Sequence, residues 1–153
     1  MIELLIPYLF LALVALGAAI PLPFYAEPVL LAMLATGDYS YTGLWLAITV
    51  GNTGGAVINW WLGRHLHRYK TSRWFPVTTR QLERAMGWFQ RYGFWSLLFS
   101  WSPIGGDVLT MVAGLMRVNL GIFVTLVAIG RGGRYAVIIA MAAAVGLSWD
   151  ALF

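Results

Sequence analysis

The chain contains no cysteine. That excludes a disulfide framework, an iron–sulfur cluster and a thiolate zinc site. The two histidines, His65 and His67, fall on a basic stretch and make a poor metal site, so no metal and no cofactor are expected. Charge is scarce as well: 10% of the 153 residues are Asp, Glu, Lys or Arg, against 60% that are hydrophobic. These proportions lie far outside those of soluble domains and mark an integral membrane protein. No polar tract is long enough to fold separately, so residues 1–153 are expected to form one membrane domain. The amino end lacks a basic leader region and carries Glu3, which argues against a cleaved signal despite Gly17-Ala18-Ala19. Ile2 to Ile20 therefore reads as a retained apolar helix of about one span.

The few cations are unevenly placed. Seven of the ten (Arg64, Arg68, Lys70, Arg73, Arg80, Arg84 and Arg91) fall in one stretch between hydrophobic segments. This is the positive-inside pattern: it sets loop 64–91 in the cytoplasm and explains the basic balance without a nucleic-acid partner. Within the loop, Leu82, Ala85, Met86, Phe89 and Tyr92 recur at helical spacing, with Arg80, Glu83, Arg84 and Arg91 turned the other way. Thr78 and Gln81 fit a capping box. The spacing predicts an amphipathic helix on the inner leaflet, its arginines over anionic headgroups. The competing expectation is a helix packed on the rest of the protein.

Proline and glycine punctuate the apolar runs. The first run stops at Pro21 and Pro23, and the next, Phe24 to Leu34, is interrupted by Glu27 and Pro28 and closed by Thr36-Gly37-Asp38. It is too short to cross a bilayer, so a re-entrant hairpin or half-helix is expected over 21–36. Thr42 to Leu62 is a full-length run carrying Gly51, Gly54 and Gly55, small residues that admit another helix closely. Residues 94–116 form a second long segment broken at Pro103, Gly105 and Gly106. A break at that depth must be buried in protein or line a wet cavity, so a second re-entrant hairpin is expected. Asn119-Leu120-Gly121 opens a last span, Ile122 to about Gly146. The eight tryptophans lie mostly near segment ends, as interfacial anchors do.

Pro23 precedes Glu27 by four residues, as Pro103 precedes Asp107, and each hairpin closes at a glycine (Gly37, Gly114) before a span with a Gly-Arg pair (Gly63-Arg64, Gly130-Arg131). Broken segments in matching positions of two halves point to a transporter site at a repeat interface. An ionised group near the bilayer centre costs about 2.5–3.5 kcal/mol even on the lenient scale, so Glu27, Asp107, Arg131 and Arg134, with Arg117 at a hairpin end, need a reason. One reason is structural ion pairing. The other is a polar cavity in which the acids take and release protons and the arginines hold a phosphate, with Asn52 and Asn59 adding neutral hydrogen bonds. Catalysis is not expected: neither Ser100 nor Ser102 sits in a GxSxG context, no histidine lies in a span, and "IGGD" lacks the first glycine of the GxGD protease pattern.

At "PFYAE", "GNTGG", "LGR", "KTSRW", "GWFQRYG", "LLFSWSPIGGDVLTMVAGLMRV" and "GRGGRYAVI" the chain resembles the DedA family, the VTT-domain or SNARE-associated membrane proteins, and within it the YqaA-like bacterial branch, from about Pro21 to Ile138. The resemblance implies an all-α integral membrane protein with three full spans, two re-entrant hairpins in an inverted repeat and one amphipathic interfacial helix. It divides the domain into a first half (1–63), the basic loop and amphipathic helix (64–93) and a second half (94–146). It also implies a bacterial inner-membrane location and a role in moving phospholipid or polyprenyl phosphate between leaflets, with proton coupling in some members. A homo-oligomer is compatible with it. The family acid falls on Glu27, its Gly-Arg on Gly63 and Arg64, its second-hairpin proline on Pro103, its Ala-Gly on Ala113 and Gly114, a following basic residue on Arg117 and its last-span glycine on Gly130. The family's two second-hairpin arginines fall on Ser100 and Gly106 and are absent, and an upstream acid falls on Ala18. Asp107, Arg131 and Arg134 belong to the YqaA-like pattern. The expectation is a lipid flippase or scramblase. The alternative is a small scaffold or assembly factor with structural ion pairs.

Overall fold

A computed structural model describes residues 2–18, 26–65, 78–102 and 105–146, and every regular element among them is helical. The elements are α1 (Ile2–Ala18), α2 (Glu27–Thr36), α3 (Tyr41–Arg64), α4 (Thr79–Tyr92), a 3-10 helix (Gly93–Trp101), α5 (Gly106–Leu115) and α6 (Leu120–Ala144). The expected breaks at Pro23 and Pro103, and loop residues 66–77, lie outside the described residues.

The long helices α3 and α6 have 24 and 25 residues, about 36 Å each at 1.5 Å per residue, while α2 and α5 have 10 residues and reach about 15 Å. Among the described helices α6 alone is both long and apolar enough to cross a membrane. Helix α3 has the length, but Thr49, Asn52, Thr53 and Asn59 on its buried side dilute its hydropathy. Leu5, Leu9 and Leu13 on α1 and Ile122, Ile129, Val137 and Met141 on α6 face outward. Apolar groups inside and outside are what a body solvated by lipid requires.

Backbones meet where side chains are missing. A Cβ on Gly51 would sit 2.0 Å from the Ala12 carbonyl oxygen, so α1 and α3 cross in contact there. Gly63 and Gly114 do the same reciprocally for α3 and α5: their Cβ atoms would lie 1.9 Å from the carbonyl oxygens of Met111 and Trp60. Gly114 is thus inside α5 and does not close it. Closure falls three residues later, at Arg117, whose φ of 56° is left-handed. The Val118 N–H donates to the Ala113 carbonyl and the Arg117 N–H to that of Gly114, a Schellman pairing with arginine where glycine is usual. Gly37, with φ of 72°, does close α2 as its sequence suggests.

Helix α4 begins at the capping box of Thr78 and Gln81. Its apolar stripe is directed inward: Ala85 and Phe89, flanked by Leu82 and Met86, pack with Leu97, Val108 and Val112. The expectation that this stripe lies in the leaflet is corrected, because α5 and the 3-10 helix already cover it; Tyr92, grouped with it by spacing, is exposed. The 3-10 helix runs nine residues, against the three or four usual for this form. Its period of three buries Leu97 and Ser100 while Trp95 and Trp101 face out.

Two apolar cores result. One joins Leu11, Leu30, Ile48, Tyr135 and Ile139 of α1, α2, α3 and α6. The other joins Ala56, Trp60, Phe89, Val112, Phe123 and Val127 of α3, α4, α5 and α6. Helices α3 and α6 run through both, and the seam between the cores falls at their midpoints, near Asn52 and Arg131.

Candidate functional site

Charged groups from three helices converge on that seam. Glu27 is the first residue of α2 and Asp107 the second of α5, so each carboxylate stands at a helix N-terminus, where the helix dipole favours negative charge. Arg131 and Arg134 lie three residues apart on α6 and face the same side. Arg131 Nη2 donates to Asp107 Oδ1 at 2.7 Å, and Arg134 Nη2 donates to Glu27 Oε1 at 2.6 Å.

The pairs differ in surroundings. The Arg131 side chain is 5% exposed and that of Asp107 37%, whereas Arg134 and Glu27 are 28% and 25% exposed. Arg131 is held further by Asn52: Nη1 donates to the Asn52 backbone carbonyl at 2.9 Å and to its side-chain oxygen. Asn52 Nδ2 in turn donates to the Tyr135 hydroxyl at 2.7 Å. Arg134 Nη1 reaches the Trp101 carbonyl at 3.0 Å, which ties α6 to the end of the 3-10 helix. The glycines between and before the arginines make the approach feasible. Gly130 lets the Leu98 carbonyl come within 2.6 Å of where a Cβ would be, and Gly132 offers its carbonyl to Trp45 Nε1 at 2.8 Å.

Glu27, Asp107, Arg131, Arg134 and Asn52 therefore form one cluster. Asn59 is fully buried two turns further along α3, and Arg117 is exposed at the far end of α5. Gly105 has φ of 90°, and a Cβ on Gly106 would stand 2.3 Å from the Ser100 carbonyl oxygen. Ser100 and Gly106, where the resemblance would place arginines, thus pack against each other, and the guanidinium that meets Asp107 comes from α6. Arg64 lies over the Trp60 ring at 5.2 Å and Arg91 over Tyr92 at 5.7 Å, while Arg80 and Arg84 are exposed on α4. Sequence reasoning missed Tyr135 and the Trp101 carbonyl. Tyr135 follows Arg131 by four residues, which puts both on one helix face; a main-chain acceptor leaves no mark in composition or spacing.

Arg131 Nε and the hydroxyls of Thr49, Thr53 and Ser100 are buried without a hydrogen-bond partner among the described residues. Buried donors of this kind are where water or a polar ligand is held. Beside the cluster, α4, the 3-10 helix and α5 enclose a groove of about 440 Å³.

The fold and site define an all-α membrane protein that carries two ion pairs at the middle of α6, beside Asn52 of α3. The VTT domain matches residues 6–144, and the chain belongs to that family, the DedA proteins. It is 41% identical over 128 residues to inner membrane protein YqaA of Escherichia coli, covering 84% of each chain, and equally to that of Shigella flexneri. It is 26% identical over 106 residues to undecaprenyl phosphate transporter A of Staphylococcus aureus, covering 64% of this chain and 52% of that one. No solved structure matches.

Proposed function

We propose that the protein moves phospholipid or polyprenyl phosphate headgroups between the leaflets of the bacterial inner membrane. The observation that carries this reading is the placement of two carboxylate–guanidinium pairs on consecutive turns of α6, halfway along the one helix among the described residues that is long and apolar enough to span. In this reading α1, α3 and α6 span the membrane, α2 and the 3-10/α5 unit are re-entrant arms, and loop 64–91 faces the cytoplasm. The relative named undecaprenyl phosphate transporter A supports a phosphate-bearing lipid as cargo.

The two pairs take different roles. Arg131, buried and clasped by Asn52, sets the position of α6 and presents charge to the site. Arg134, more exposed, makes the direct headgroup contact. When Glu27 takes a proton its hold on Arg134 weakens, and a phosphate oxygen replaces the carboxylate on the guanidinium. Proton release reverses the exchange. Asp107 instead keeps Arg131 in place, and the hydroxyls of Thr49, Thr53 and Ser100, without a partner among the described residues, offer hydrogen bonds to water at the site.

The test is leaflet exchange in reconstituted vesicles, with fluorescent phosphatidylethanolamine and a polyprenyl phosphate, with and without a proton gradient. Exchange above empty vesicles that is lost in Glu27→Gln is expected; no exchange under any condition overturns the reading. The burial of Arg131 and its bonds on both terminal nitrogens favour a second reading, in which the protein is a scaffold and the pairs fix its fold. That reading requires Glu27→Gln and Asp107→Asn to leave the cellular phenotype untouched while the protein stays folded.

A further inference from the structure

The groove beside the charge cluster has a chemistry of its own. Arg84 and Trp88 of α4 form one wall, Phe99 and Trp101 of the 3-10 helix the other, and Gly105 and Leu109 the floor. Its volume suits the headgroup and first chain carbons of a lipid. Trp88, Phe99 and Trp101 are exposed, and the Trp88 and Phe99 rings stand edge to face at 6.5 Å. Among the described residues one cation and no acid line the groove. The outer side of α4 adds Arg80 and Arg91 against the single acid Glu83, so the field around the groove is positive. Aromatic walls in one groove with a guanidinium match a molecule with an anionic head and an apolar tail, and they belong at headgroup depth, where tryptophan prefers to sit. The Trp101 side chain lines this groove while its carbonyl accepts from Arg134.

We propose that this groove is a binding site for an anionic membrane phospholipid, with the phosphate on Arg84 and the upper chain against Trp88, Phe99 and Trp101. It is the doorway from the cytoplasmic leaflet to the cluster: one residue, Trp101, separates the bound lipid from Arg134. The doorway role rests on the lipid-transport reading above, whereas the binding itself does not.

Photo-crosslinking in phosphatidylcholine nanodiscs tests it, with a trace of diazirine-tailed phosphatidylglycerol or the matched phosphatidylcholine probe and mapping by mass spectrometry. Phosphatidylglycerol is expected to label residues 84–102 in preference to phosphatidylcholine. In Arg84→Gln this labelling falls about fivefold, the upper range for one exposed charge pair, while Arg91→Gln keeps it. Equal labelling by the two probes, or labelling in Arg84→Gln equal to the parent, overturns the site. Headgroup-selective labelling that depends on Arg84, in a protein that shows no leaflet exchange, retains the site and removes the transport reading.

Discussion

Two ion pairs of nearly equal length should differ several-fold in what their loss costs. In Asp107→Ala the Arg131 guanidinium, 5% exposed in the parent, stays charged with only the two neutral Asn52 oxygens for company. Removing one partner of such a pair costs about 3–5 kcal/mol, since the remaining charge is neither paired nor hydrated. In Glu27→Ala the Arg134 side chain, 28% exposed, keeps the Trp101 carbonyl and reaches surrounding polar groups, so the cost is about 1 kcal/mol or less. At about 2–4 °C per kcal/mol for a chain of this size, Asp107→Ala lowers the midpoint of thermal unfolding by about 10 °C and Glu27→Ala by about 2–4 °C. Intrinsic tryptophan fluorescence during heating in detergent reads both. The double variant Asp107→Ala/Arg131→Met removes both charges and should recover about 2 kcal/mol relative to Asp107→Ala, leaving the cost of an Asn52 side-chain oxygen that has lost its donor. A Glu27→Ala protein no more stable than Asp107→Ala, or a double variant below both singles, would refute the burial argument.

Gly114→Ala places a Cβ 1.9 Å from the Trp60 carbonyl oxygen and forces α5 off α3, at about 1–3 kcal/mol in the same melt, whereas Gly133→Ala meets nothing within 4 Å and gains up to about 1 kcal/mol of helix propensity. Arg117→Gly relieves the left-handed residue and raises stability by about 0.5–1 kcal/mol; because Arg117 stands apart from the cluster, leaflet exchange should be unchanged, and slowed exchange would restore it as a headgroup ligand. Tyr135→Phe removes the acceptor of Asn52 Nδ2 and costs about 1 kcal/mol; slower exchange at unchanged folding would show that Asn52 and Tyr135 position Arg131.

The helical class, the long runs now seen as α3 and α6, the capping box of α4 and the turn at Gly37 were legible, because each rests on local periodicity or on a residue with special backbone freedom. The meeting of Glu27 and Asp107 with Arg131 and Arg134 was an expectation from cost alone: four charges in apolar runs have few partners but one another. The destination of the α4 stripe was not legible, since Ala85 and Phe89 look the same to the sequence whether lipid or α5 covers them. Nor was the closure at Arg117, where pairing to the Ala113 and Gly114 carbonyls overrides the preference for glycine. Asn52 was legible as a polar residue in a span, but its partner Tyr135 depends on how α3 and α6 are set against each other.

Because both guanidiniums ride on one rigid helix, about 4.5 Å apart along its axis and 60° apart around it, their contacts are geared together. A small turn of α6 that draws one arginine off its acid also shifts the other, so the arms bearing Glu27 and Asp107 are loosened or gripped in step. Such a turn would also move Val127 and Tyr135, which α6 sends into the two cores, so the cores are coupled to the state of the ion pairs.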